Sequence, residues 1–217
     1  MPAEKTLAIV LRLVEFSETS CVTTLFTEEF GKVGALAKGA RRPKGPFDSA
    51  LDLLAVCRIV FIHKSADALD LLTEAKMERR FRAASRDLTR LYAGYYVAEL
   101  LRTLTDYGDP HPELFQSANH TLTKFDGEGS VPETILRFEV AALRQLGYLP
   151  ALDTCVTCGS PLSDGLVFFG QQAGGGLCGG CRPGHRHVVR LTPRVVDWLR
   201  RLSNVAEQEE IGTIDRG

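Results

Sequence analysis

From Lys5 to Phe16 apolar and mixed positions alternate, with Leu7, Ile9, Leu11 and Leu13 on one face and Ala8, Val10, Arg12 and Val14 on the other, the period of a β-strand. Glu18-Thr-Ser20 supplies a turn, and Cys21-Val-Thr-Thr-Leu-Phe-Thr27 carries the β-branched and aromatic residues of a second strand. Glu29-Phe-Gly-Lys32 predicts the next turn, Val33–Ala40 a third strand, Leu51–His63 a long fourth and Ala68–Ala75 a fifth. Five closely spaced strands suit an OB-fold barrel, and a generic β-barrel fits the same count.

Beyond Lys76 the period changes to three and four residues: Phe81, Leu88, Leu91, Tyr92, Tyr95, Tyr96, Leu100, Leu101 and Leu104 mark one long amphipathic helix. Its tyrosines are expected in the core rather than as a stacking surface. The prolines flanking His111 end it. Glu113–Lys124 predicts a second helix, and Pro132 opens a third carrying Ile135, Leu136, Phe138, Leu143 and Leu146, with Gly147 as its cap. Thr192-Pro193 starts a last helix in which Trp198 is expected to be core, before an acidic, polar tail. The fold class is α+β: an OB-fold nucleic-acid-binding domain at residues 1–80, then a helical domain at 81–217 with an inserted metal module at about 150–185.

That module rests on Cys155-Val-Thr-Cys158 and Cys178-Gly-Gly-Cys181. Two CxxC turns at this separation set four thiolates around one Zn²⁺, a closed shell with no position for water and therefore a structural zinc ribbon or knuckle. Disulfide pairing competes with this reading only in an oxidising compartment, of which the rest of the chain gives no sign; redox catalysis uses one such pair rather than two. Cys21 and Cys57 lie in apolar alternating segments and read as small buried hydrophobes.

Charge adds a local feature to a chain with none globally. Among 217 residues, 26 Lys and Arg nearly balance 27 Asp and Glu, so any nucleic-acid surface must arise from segregation. Lys38, Arg41, Arg42 and Lys44 supply it, spaced by glycine and proline that keep them in a loop able to follow a phosphate backbone. Phe47 follows, either stacking on a base or anchoring the loop. Arg79, Arg80, Arg82, Arg86 and Arg90 crowd the expected start of the first long helix, and Arg79 and Arg80 are candidates to extend the track. Arg182, His185, Arg186, His187, Arg190 and Arg194 follow the last cysteine and are left as surface residues, since four cysteines already complete the shell. The N-terminus lacks the basic-then-apolar order of a signal peptide, and charges interrupt every apolar run, so a cytoplasmic, nucleoid-associated protein without a membrane partner is expected. No phosphate loop, nucleophile elbow or HExxH helix occurs, so a binding protein rather than an enzyme is expected.

Glu18-Thr-Ser20, Gly31-Lys-Val33, Ala37-Lys-Gly-Ala-Arg-Arg-Pro-Lys44, Leu71-Leu-Thr-Glu74, Tyr96-Val-Ala-Glu-Leu100, Gly147-Tyr-Leu-Pro150 and Cys155-Val-Thr-Cys-Gly159 together resemble the bacterial DNA repair RecO family, over residues 5 to about 200. The resemblance implies an N-terminal OB-fold, a helical domain with the zinc site, and recombinational repair by the RecF pathway. It further implies binding of single- and double-stranded DNA, annealing of complementary strands, and, with RecR, loading of RecA onto DNA coated by single-strand binding protein. Lys38, Arg41, Arg42 and Lys44 match the family's basic loop, and Cys155, Cys158, Cys178 and Cys181 its metal ligands. Gly45 stands where the family commonly has serine, and the C-terminal end is short and acidic for the family, which puts a pocket for the tail of single-strand binding protein in question. The same residues also fit an RNA- or ribosome-associated OB-fold zinc-ribbon protein, which would prefer structured RNA, or an interaction scaffold that binds no DNA at low salt.

Overall fold

The computed structural model describes residues 2–42, 46–47, 50–64, 68–162 and 167–204. Strands β1 (Ala3–Glu15), β2 (Cys21–Thr27), β3 (Gly31–Ala37), β4 (Val56–Ile62) and β5 (Asp70–Arg79) close into a barrel in the order β1-β2-β3-β5-β4. All neighbours are antiparallel except β3 and β5, which run parallel through Ala35–Asp70, Leu36–Leu71 and Ala37–Leu72. This is the OB-fold arrangement. Ala8, Val10, Leu25, Val33, Ala35, Cys57, Ile59, Phe61 and Leu72 fill its interior. Small residues dominate β3, which lets the barrel close tightly around the larger side chains of β4 and β5.

Apart from the second, the strand boundaries differ from expectation: the first runs Ala3–Glu15 rather than Lys5–Phe16, the third Gly31–Ala37 rather than Val33–Ala40, and the fourth and fifth shift for identifiable reasons. The fourth strand begins at Val56 and not at Leu51, because the buried Leu54 takes a left-handed conformation (φ 64°) that turns the chain before pairing starts. The fifth continues past Ala75 to Arg79, since pairing with β4 from Ile62–Leu71 to Val56–Arg79 outweighs the weak strand propensity of Lys76-Met-Glu-Arg79. Arg79 therefore stands on a strand and not on a helix.

The chain then forms a short 3-10 turn, Ala83–Ser85, before α1 (Leu88–Leu104). Asp126 holds this connection: its Oδ1 accepts the N–H groups of Arg82 and Ala83, each at 2.8 Å. Asp87 caps α1 by accepting from the Thr89 N–H at 2.8 Å. Helices α2 (Pro112–Asp126) and α3 (Val131–Gln145) follow. Phe115 of α2 meets Phe26 of β2 with ring centroids 6.2 Å apart, which covers that outward-facing strand residue.

The inner face of α1 is made of small residues, Ala93, Gly94, Val97 and Ala98 with Leu101, so its backbone lies close to the barrel. A Cβ on Gly94 would sit 2.6 Å from Leu54 Cδ1. Tyr92, Tyr95 and Tyr96, expected in the core, are exposed instead (64%, 40% and 40%).

The barrel grips the far end of α1 through Gly31 and Lys32. Lys32 is buried, and its Nζ donates to the carbonyl of Arg102 at 2.7 Å and to that of Thr105, with the Tyr107 ring centroid 4.8 Å away. A cation at a helix C-terminus satisfies carbonyls that have no partner within the helix. Gly31 (φ 65°) lets the 105–109 segment lie against the strand, since a Cβ there would be 2.1 Å from the Asp109 carbonyl oxygen.

By backbone contacts the chain divides into two compact units, residues 1–138 and 139–217. In the second, β6 (Val167–Gly170) lies between β7 (Gly175–Leu177) and β8 (Val188–Leu191) in an antiparallel sheet, followed by α4 (Pro193–Asn204). Cys155, Leu162, Val167, Leu177 and Val196 form its core, so the cysteine module draws on β8 and α4 beyond residue 185. Trp198 is half-buried. Among the described residues no helix is long and apolar enough to cross a membrane.

Candidate nucleic-acid interface and metal centre

Where β3 ends at Ala37, residues 38–42 form a turn fastened to the turn between β1 and β2. Gly39 N–H donates to Ser20 Oγ at 3.3 Å, Arg41 N–H to the Thr19 carbonyl at 3.0 Å, and Arg42 N–H to the Gly39 carbonyl at 3.0 Å. The partner turn is closed by the Phe16 and Ser17 N–H groups, both donating to the Ser20 carbonyl. The cations are thus presented from a hydrogen-bonded backbone. Lys38, Arg41 and Arg42 are all exposed, and among the described residues no ion pair engages Lys38 or Arg42. Arg41 meets Glu15 at 2.9 Å, a pair left largely in water (49% and 78% exposed) and therefore readily exchanged for a phosphate. Lys44 lies outside the described residues.

The remaining candidates separate into two groups. Phe47 is buried in the barrel core, so it anchors the loop and offers no face to a base. Arg79 is half-buried and committed: it donates to Asp126 at 3.2 Å and to Asn119 Oδ1 at 3.0 Å, tying β5 to α2. Arg80 is exposed and only loosely paired with Asp52 at 3.8 Å. Arg90 reaches the Phe125 and Gly129 carbonyls at 3.2 and 2.9 Å, a structural role like that of Arg79. Arg82 and Arg86 are exposed. In the sequence these arginines look alike, because a charge run does not reveal which members meet an acid folded in from a distant helix.

Two residues carry more than the sequence indicates. Lys32 reads as a turn residue, and Phe16 reads as the end of a strand; the latter is 66% exposed and lines a shallow cleft with Glu15, Ser17, Glu18 and Arg41. Its signal in the sequence is an aromatic beside a turn, which alone does not separate a core residue from a surface one.

The four module cysteines converge. Their sulfurs all lie within 4.8 Å of one another, with Cys158 and Cys178 3.8 Å apart. A tetrahedral Zn²⁺ with Zn–S near 2.3 Å requires sulfurs about 3.8 Å apart, whereas a disulfide brings them to about 2 Å. All four are free thiols.

Backbone hydrogen bonds close both turns. Gly159 (φ 72°) donates to the Cys155 carbonyl at 2.8 Å, and Cys181 and Arg182 N–H groups donate to the Cys178 carbonyl at 3.2 and 3.1 Å. Thr157 Oγ1 and His185 Nε2, 2.9 Å apart, join the two knuckles, which gives that histidine a bracing position rather than a ligand's. Backbone amides at Cys178 and Cys158 hold the Cys155 thiol well below its usual range, and Ser160 lowers that of Cys158, while the neighbouring Cys178 and Cys158 sulfurs push that of Cys181 up to about 12. Thiolate is the form that binds zinc, so Cys155 and Cys158 are disposed to ligate, and the convergence of all four sulfurs suits the metal.

The sequence matches the family described as Recombination protein O N terminal over residues 1–81 and the family described as Recombination protein O C terminal over residues 85–215. Curated relatives described as DNA repair protein RecO include one from Rhodopirellula baltica, 49% identical over 203 residues, covering 93% of this chain and 75% of that protein. Another from Anaeromyxobacter dehalogenans is 37% identical over 202 residues, covering 93% and 80%. A third, from Halalkalibacterium halodurans, is 33% identical over 207 residues, covering 95% and 79%. With both halves matched and 49% identity to one such relative over 93% of its own length, the chain belongs to the RecO family of DNA repair proteins.

Proposed function

We propose that this chain serves DNA repair and recombination as a cytoplasmic, nucleoid-associated DNA-binding mediator that acts by charge neutralisation and not by covalent chemistry. The observation that carries the reading is the turn at 38–42, whose cations project into water from a backbone fastened to the end of a closed OB barrel. Lys38, Arg41 and Arg42 meet phosphates, with Lys44 and Arg80 extending the contact; Arg79 supports the surface through Asp126. Each phosphate neutralised releases counterions, which gives sequence-independent affinity for single and double strands. Two strands held on one cationic surface repel each other less, so complementary bases pair sooner, and annealing follows.

When bound to the four thiolates, Zn²⁺ cross-links the two knuckles and stabilises the fold of the second unit. The chain's own residues do the rest: Cys155, Cys158, Cys178 and Cys181 supply the ligands, the knuckle amides favour the thiolate of Cys155, and Ser160 that of Cys158. RecR, single-strand binding protein and, indirectly, RecA are the partners that this role implies. The test is an annealing assay with complementary oligonucleotides and a structured RNA as competitor. Acceleration by the wild-type chain that is lost on Arg41→Ala with Arg42→Ala, and resists the RNA, supports the reading. Preference for the RNA, or annealing indifferent to both substitutions, rejects it.

A further inference from the structure

Phe47 is buried and offers no stacking face, but the same end of the barrel carries another aromatic in the open. Phe16 is 66% exposed on the turn that follows β1. An aromatic ring left in water forgoes the burial that normally holds such residues inside. The backbone beneath it is fixed by its own N–H bond to the Ser20 carbonyl at 3.0 Å. The ring is also not isolated from charge. The cation-bearing turn hangs on the same turn through the Arg41 N–H bond to Thr19 and the Gly39 N–H bond to Ser20 Oγ, and Phe16 and Arg41 line one cleft.

We propose that Phe16 is a base-stacking platform for single-stranded nucleic acid, set beside the phosphate-binding cations Lys38, Arg41 and Arg42. The assignment rests on the DNA-binding reading above and adds a specificity to it. Phosphate contacts alone give no preference for a single strand, because a duplex offers the same groups at higher charge density. A ring able to receive an unpaired base gives one, since in a duplex the base faces are already stacked on their neighbours. Every base has a π face, so the contact is tolerant of sequence, as an annealing protein needs. Glu15 and Glu18 flank the cleft and disfavour a phosphate directly over the ring, which sets the base and not the backbone at Phe16, with the backbone displaced towards Arg41 and Arg42.

The test uses the 217-residue chain and three fluorescent probes: a thymidine 20-mer, an abasic strand with the same number of phosphates, and a blunt duplex. Wild-type protein binds the thymidine strand more tightly than the abasic one. Phe16→Ala weakens the thymidine strand by at least about fivefold, the lower end for loss of one stacked base, and leaves the duplex and abasic strands within twofold. Phe16→Trp keeps the preference, and its new indole fluorescence falls on adding the thymidine strand but not the abasic one. If Phe16→Ala weakens all three probes equally, or none, the stacking assignment is overturned while salt-dependent binding still stands. If the wild type binds no probe at low salt, the DNA-binding reading fails and this one with it.

Discussion

Replacing Lys32 by methionine keeps the length of the side chain and removes the ammonium that joins the barrel to the end of α1. The wild-type Nζ serves the Arg102 and Thr105 carbonyls, and a methionine thioether gives them nothing in return. A hydrogen bond from a charged donor is worth about 1.5–3 kcal/mol, and a buried carbonyl left unpaired costs about 1–3 kcal/mol. The Tyr107 ring adds about 0.5–1 kcal/mol of cation–π attraction. Against these stands the cost of burying the ammonium, which lowers the Lys32 pKa, with Asp106 opposing the shift. The contributions overlap, and the expected net loss is about 2–4 kcal/mol. For a chain of this size that moves the melting temperature down by roughly 5–15 °C. Differential scanning calorimetry of Lys32→Met, with the exposed Lys38→Met as control, measures it. A loss under about 0.5 kcal/mol, no larger than the control, refutes the claim that Lys32 is the clamp between β3 and α1.

Three further outcomes follow from the same structure. Gly31→Ala, which sets a Cβ against the Asp109 carbonyl at a positive φ, lowers the urea midpoint by an amount equivalent to about 1–3 kcal/mol, and a midpoint equal to wild type contradicts the close approach. Purified protein carries one zinc per chain, and chelation raises hydrogen exchange across residues 151–191 while β1–β5 keep their protection; loss of the barrel's protection as well would mean that the metal supports both units. The Cys57 thiol is pushed up to about 12, first by burial and then by Asp52 and Glu78. Its folded pKa thus lies above the unfolded value of 9.0, so the stability it contributes is intact below pH 9 and is lost as pH rises towards 12. Urea denaturation of Cys57→Ala across that window shows a shallower alkaline decline than wild type, and equal slopes argue against the buried thiol.

The barrel is legible in the sequence because its strands alternate at period two and its turns carry glycine and polar residues. The pattern puts β2 at Cys21–Thr27, where the structure has it. The cysteine site is legible for a different reason: thiolate spacing is a chemical constraint that hardly depends on the surrounding fold. What escapes comes from long-range packing. Helix α1 reads from its large residues, yet its buried face is Ala93, Gly94, Val97, Ala98 and Leu101, where small side chains permit close approach and leave the tyrosines outside. Arg79 reads as a free cation because Asp126 and Asn119, which engage it, lie on a helix far along the chain. Gly31-Lys32 looks like an ordinary turn, since nothing local says that a helix C-terminus will dock there.

The proposed function requires that cations on the 38–42 turn neutralise DNA phosphates. The measurement that tests it most directly is fluorescence anisotropy of a labelled thymidine oligomer over a salt series, on zinc-loaded wild-type protein and on Arg41→Ala with Arg42→Ala. Wild-type affinity falls steeply with salt, and the double substitution reduces the slope of log affinity against log salt by about 1.4, at roughly 0.7 for each single-strand phosphate that is no longer neutralised. Equal slopes for the two proteins, or no binding by the wild type at low salt, contradict it.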